Sequence, residues 1–191
     1  LRLTVDGRPY TQSLTVKPDP RSVATPAAIA AQHALQMKIM KGLQTAWEGY
    51  QQATQLREAA HRAVSPNASA EVTAALAKLD SAIDSVRGDT AAARNFSLAG
   101  GPAPRPTFVD VSIALVNQIK AQDYADQAPT PAMLAGWAKA CEALGTALRS
   151  WQRVTTQDLS SVDARLGGSQ GATATRTRTQ LAAPACGGAS E

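Results

Sequence analysis

The chain has 191 residues, with 19 Lys or Arg against 15 Asp or Glu and a formal net charge of +4. Hydrophobic residues make up 44 % but aromatic ones only 4 %, which suits closely packed, alanine-rich helices better than a thick aromatic core. The basic residues stand singly from Arg2 to Arg178, without a basic run or aromatic–basic interleaving, so no nucleic-acid partner is expected. No apolar run approaches the ~18 residues of a membrane span, and no stretch reads as a secretory h-region. The chain begins at Leu1 rather than Met, so a processed chain, or the ordered part of a longer one, is expected.

Residues 1–20 read as a β-hairpin followed by a proline-rich linker. Leu1, Leu3 and Val5 alternate, Asp6-Gly7 is a strong turn pair, and a second strand runs on through Tyr10 to Val16 with Leu14 and Val16 on one face. A lone hairpin is marginal in water, so this one is expected to join further strands, lie on helices or be held by another subunit. Pro18 and Pro20 end it, because proline lacks an amide donor and biases its predecessor away from the helical region.

Residues 21–166 read as an antiparallel bundle of about four helices, two long and two short. Thr25-Pro26 is an N-cap with proline at the first helical position. The helix it opens should reach about Val64, with a three–four seam of His33, Gln36, Met40, Leu43, Trp47, Tyr50, Thr54, Arg57, His61 and Val64. A parallel stripe of small residues, Gly42, Ala46, Gly49, Ala53 and Ala60, would admit a neighbouring backbone closely. A second helix fits Ala68 to Arg87, with Val72, Leu76, Leu79, Ile83 and Val86 on one face and Gly88 as its terminator. Residues 89–106 form a Gly/Pro-rich loop. A third helix starts near Thr107 and presents Phe108, Val111, Leu115 and Ile119. Thr130-Pro131 opens the fourth, whose seam is Leu134, Trp137, Cys141, Leu144, Leu148, Trp151, Thr155, Asp158 with Leu159, Val162 and Leu166. The simplest packing is up-down-up-down, with the two long helices as the body. Residues 167–191 are low-complexity and alone would be disordered; ordered, they imply something that holds them.

Candidate chemistry is sparse. His33 and His61 lie ~42 Å apart along one helix at 1.5 Å per residue and cannot share a metal. Asp80 and Asp84 are an i,i+4 like-charge pair that reads as a solvated face. Asp123 and Asp126 lack an EF-hand loop, and Asp158 and Asp163 do not face each other. No GxSxG, HExxH, Walker or GxGxxG pattern occurs, so no cofactor, no metal and no catalytic residue is expected. Asn67 and Asn95 head glycosylation acceptor patterns that matter only in a eukaryotic secretory setting. Trp47, Trp137 and Trp151 read either as an aromatic platform or as core where the two long helices meet. Cys141 reads as a small buried hydrophobe; the alternative, a Cys141–Cys186 disulfide, needs the tail to fold back.

The residues Tyr10, Thr11, Leu14, Val16, Asp19, Pro20 and Arg21, followed by long helices, resemble the C-terminal region of large secreted BNR/sortilin-type (VPS10-like) β-propeller proteins, often labelled glycosyl hydrolases. The resemblance covers roughly residues 3–166. It implies that the hairpin ends a β-sandwich whose remainder, like the propeller, is absent from these residues. No Asp-box repeat occurs, so the hydrolase label does not transfer.

These observations point to a non-catalytic structural or interaction module, periplasmic or secreted. It is expected to act as an accessory subunit bracing a larger assembly of protein subunits, such as the extrinsic face of a respiratory or photosynthetic membrane complex. The expected contact residues are Tyr10, Leu14, Val16, Trp47, Tyr50, Trp137, Trp151, Arg176 and Arg178. The alternatives are the C-terminal appendage of a propeller-type glycoside hydrolase and a free-standing coiled-coil-like dimer.

Overall fold

A computed structural model describes residues 1–17, 19–90, 105–123, 126–165, 180–182 and 184–186. Strands β1 (Arg2–Val5) and β2 (Arg8–Thr11) form an antiparallel hairpin. Helices α1 (Pro26–Ala63), α2 (Ala70–Arg87), α3 (Phe108–Gln122) and α4 (Pro131–Arg153) follow, and a π-helical turn (Val154–Asp158) joins α4 to α5 (Leu159–Arg165). The protein is thus mainly helical with an N-terminal hairpin.

Each long element starts where local chemistry dictates. Thr25, Ser69 and Thr130 accept hydrogen bonds from the amides of Ala28, Val72 and Met133, satisfying donors that the first helical turn leaves orphaned. Thr107 and Asp110 form a reciprocal capping box at the start of α3. Gly88, at φ 82°, ends α2 in a conformation that side chains resist.

The helices pack antiparallel, but not up-down-up-down. Arg57 and His61 of α1 face Asp84 and Asp80 of α2, so α2 runs back along the C-terminal half of α1. Along the N-terminal half, Gly49 meets Phe108, Gly42 meets Leu115, and Gln32 reaches Gln122, so α3 also runs opposite to α1. The two short helices therefore point the same way and lie end to end. Gly88 touches Thr107 at their junction. The α4–α5 rod runs beside both: Gly136 packs on Gln118, and Trp151 meets Phe108 edge-on at 6.5 Å. Three rods result: α1, the α2–α3 pair, and α4–α5.

The core face of α1 is Gln32, Leu35, Ile39, Gly42, Ala46, Gly49, Ala53, Leu56 and Ala60, with Thr45 beside it. This is the expected three–four spacing displaced by one residue towards the N-terminus. One residue is about 100° of rotation at 3.6 residues per turn, enough to turn the expected seam to the flank. Met40 and Trp47, expected on that seam, are exposed. The small residues win the interior because only they let the ring of Phe108 approach the α1 backbone. A Cβ on Gly49 would lie within 2.4–2.8 Å of that ring.

On α4 the expected phase holds from Trp137 through Cys141, Leu144 and Leu148 to Trp151, all buried; Leu134 before them is exposed. Beyond Trp151, Leu159 and Val162 are buried as expected, but Val154 is buried in place of Thr155 and Asp158. Val154 and Leu159 are five apart, and the π turn, in which the Leu159 amide donates to the Val154 carbonyl, absorbs that extra residue.

Cys141 is not a lone buried thiol: it is bonded to Cys186. The bridge pins Cys186 to the bundle, with Leu181 and Cys186 packed against the core. Leu181 is the only large apolar side chain in the sequence of residues 167–191. Leu166 and the remainder of the expected tail lie outside the described residues.

Two predictions follow from this packing. Gly49→Ala overpacks the Phe108 contact by about 1–3 kcal/mol, more than the ~1 kcal/mol of helix propensity it gains. Its melting temperature should fall, while Gly145→Ala, whose Cβ would meet only the Arg149 guanidinium at 3.4 Å, should raise it. Reduction, or the paired Cys141→Ala and Cys186→Ala substitutions, removes a crosslink spanning 45 residues. It should lower stability by about 2–4 kcal/mol in a guanidinium melt and make residues 180–186 protease-sensitive.

Candidate interaction surface

The hairpin register sets a two-faced ribbon. Leu3 lies opposite Tyr10 and Val5 opposite Arg8, with Asp6 and Gly7 both at positive φ in the two-residue turn. Cross-strand neighbours share a face, and Leu1, Leu3, Val5 and Tyr10 therefore make one apolar side. None of it is covered: Leu3 is 64 % and Tyr10 57 % exposed. Strand β2 stops at Thr11, short of the expected Val16. Thr11 already pairs with Arg2, and Gln12 bonds with Leu1, so residues beyond Gln12 have no strand opposite them. Leu14 and Val16 are exposed in irregular chain.

The linker after them carries a tight charged turn. The Asp19 carboxylate takes hydrogen bonds from the Arg21 guanidinium and from the Arg21 amide. The guanidinium first, and the amide second, hold the Asp19 carboxyl below the usual carboxylate range.

A second apolar surface lies on the bundle. Met40, Leu43, Gln44 and Trp47 of α1, with Ser112 and Val116 of α3, line an open groove of about 460 Å³. Trp47 is half exposed on its rim and stacks on Tyr50, with ring centroids 5.3 Å apart and planes 11° from parallel. Met37 extends the exposed apolar strip towards the N-terminus of α1. Exposed methionine and tryptophan side by side make a surface that adapts to an apolar partner.

Tyr50 also anchors a polar seam. The Arg87 guanidinium sits 5.9 Å from the Tyr50 ring centroid and pairs with Asp84 at 2.8 Å. Arg57 bridges Asp84 and Asp80, and His61 closes the row on Asp80 at 2.8 Å. The i,i+4 aspartates are therefore not a bare solvated face. Their mutual repulsion is offset by two guanidinium groups, Arg57 of α1 and Arg87 of α2.

The expected contact residues divide accordingly. Tyr10, Leu14, Val16 and Trp47 are exposed and Tyr50 is half-buried. Trp137 and Trp151 belong to the core, Trp151 donating its indole N–H to Gln52. Arg176 and Arg178 lie outside the described residues. Met37, Met40, Ser112 and Val116 were not singled out as contact residues; once the phase of α1 is known, their position on the outer flank is evident. Among the described residues, no group of three or more His, Cys, Asp or Glu could hold a metal ion, and no helix is long and apolar enough to cross a membrane.

No family model, curated protein or solved structure matches the chain.

Burial separates the three tryptophans by one measurement. Acrylamide should quench only the Trp47 component of the fluorescence, and Trp47→Phe should abolish that component while leaving the denaturation midpoint almost unchanged.

Proposed function

We propose that this chain is a non-catalytic interaction module that works outside the cytoplasm and stabilises a larger assembly by docking on it. The observation that carries the reading is the hairpin: an amphipathic ribbon whose apolar face and both strands are exposed along their whole length. A two-stranded ribbon gains little stability alone, so an apolar face on it is best explained by a surface that covers it. The Trp47 groove gives the bundle a second contact of the same character. The three-rod bundle is a stiff body that carries the groove: α1 alone, at 38 residues, spans ~57 Å. The Cys141–Cys186 disulfide supports an oxidising compartment, hence a periplasmic or secreted setting. Protein subunits on the extrinsic face of a membrane complex, respiratory or photosynthetic, are partners of the required kind.

One observation favours a second reading, the end of a β-sandwich in a propeller-type protein. The hairpin leaves both its outer edges unpaired among the described residues, which suits strands that complete a sheet.

Photo-crosslinking from position 10 in the native source, followed by native mass spectrometry, decides between them. The accessory-subunit reading expects crosslinks to other polypeptides at fixed stoichiometry, lost in Leu3→Glu. The sandwich reading expects crosslinks within one polypeptide far heavier than 19.9 kDa. A monomer of 19.9 kDa that crosslinks to nothing overturns both.

A further inference from the structure

At the end of the bundle remote from the α2–α3 junction, the first turns of α1 and the C-terminus of α3 enclose a polar cleft of about 550 Å³. Its interior is organised by glutamines. The Gln32 side chain donates to the Gln122 backbone carbonyl at 2.8 Å and accepts from the Gln127 amide, tying α1 to α3 and to the chain leading into α4. The Gln122 side chain donates through Nε2 to the Gln118 carbonyl, which fixes the amide so that Oε1 is the free end. Gln122 is 2 % exposed, lines the cleft, and its Oε1 has no hydrogen-bond partner. Leaving a buried acceptor unpaired costs about 1–3 kcal/mol, so the site gains from any ligand that brings a donor.

The surroundings specify what kind of donor. Asp123 and Asp126 stand at the rim of the same cleft. Asp123 is also the C-cap of α3, where the helix presents its negative end. Two carboxylates, an unpaired amide oxygen and a helix C-terminus favour positive charge, and His33 and Gln36 of α1 complete the lining. The cluster is too sparse in ionisable ligands for a metal ion. An ammonium group carries three N–H donors for acceptors of this kind. The Ile29 side chain lines the wall and offers apolar surface to a methylene chain, and the volume is that of a small-molecule site.

We propose that this cleft binds an aliphatic primary ammonium, that of a free diamine or of a lysine side chain presented by a partner. Gln122 Oε1 accepts one N–H at the floor, Asp123 and Asp126 the other two at the rim. The site is independent of the hairpin and the Trp47 groove, so its failure leaves the docking reading untouched.

The test is NMR titration of the isotope-labelled full chain, in parallel with 1,4-diaminobutane and with Nα-acetyl-lysine N-methylamide at moderate salt. Saturable shifts of the Gln122 side-chain amide are expected with at least one probe. The Asp123→Asn, Asp126→Asn double variant should weaken binding by about tenfold or more, equivalent to ~1.4 kcal/mol. Asp158→Asn, on a different face, should not. Saturation by the diamine alone assigns a free ligand; saturation by the lysine derivative assigns a partner's side chain. No saturable shift with either probe into the millimolar range overturns the proposal, as does binding that the double variant leaves unchanged.

Discussion

The close approach of Phe108 to the backbone of α1 at Gly49 governs the arrangement of the other elements. Phe108 is fully buried, stands edge-on to Trp151, and occupies the space that any side chain at position 49 would take. Its position sets the depth to which α3 sinks onto α1 and thereby turns the small-residue stripe, rather than the larger residues beside it, into the interior. With α3 seated there, Trp151 is drawn over it from α4, and its indole reaches Gln52 back on α1. The third rod is thus registered against the first through one aromatic pair and one hydrogen bond. Interiors packed this tightly transmit small changes in volume, so the bundle tolerates little at that point.

What the sequence made legible was local. Helix starts at Thr25, Thr107 and Thr130 were readable because capping is an interaction between residues three apart. The end of α2 was readable because Gly88 is needed for a backbone sign that other residues avoid. The period of α1 was legible too, but its phase was not. Two interleaved three–four patterns ran one residue apart, and hydropathy favoured the one carrying Leu43, Trp47 and Tyr50. The choice between them rested on steric complementarity with Phe108, which lies 59 positions further along the chain than Gly49 and has no local signature. The same limit hid the topology. Period and capping define four helices, but only cross-helix contacts reveal that α2 and α3 share a direction. The disulfide, with its ends 45 positions apart in sequence, follows no spacing rule, and the buried-thiol reading failed for that reason.

The surface features were partly legible. The exposed residues Tyr10, Leu14 and Val16, expected on one strand although only Tyr10 lies in it, were singled out because a hairpin with an apolar face has nowhere obvious to put it. Trp47 was singled out as one of three tryptophans, two of which the fold buries. The ion row from Arg87 to His61 was misjudged because it joins two helices: the aspartates of α2 look like a bare charged face until Arg57 and His61 arrive from α1. The glutamine-lined cleft carried no signal at all, since Gln32 and Gln122 are 90 residues apart and ordinary in their own segments.

The junction between α2 and α3 has one further consequence. Gly88 and Thr107 touch, so the two ends of the segment between them are already held together by the packing of α2 and α3 on α1. The entropic cost of closing a chain between fixed ends rises only logarithmically, by about 0.6 kcal/mol for each doubling of its length. A tag, a reporter or a second domain inserted between positions 88 and 107 therefore adds little closure cost to the bundle.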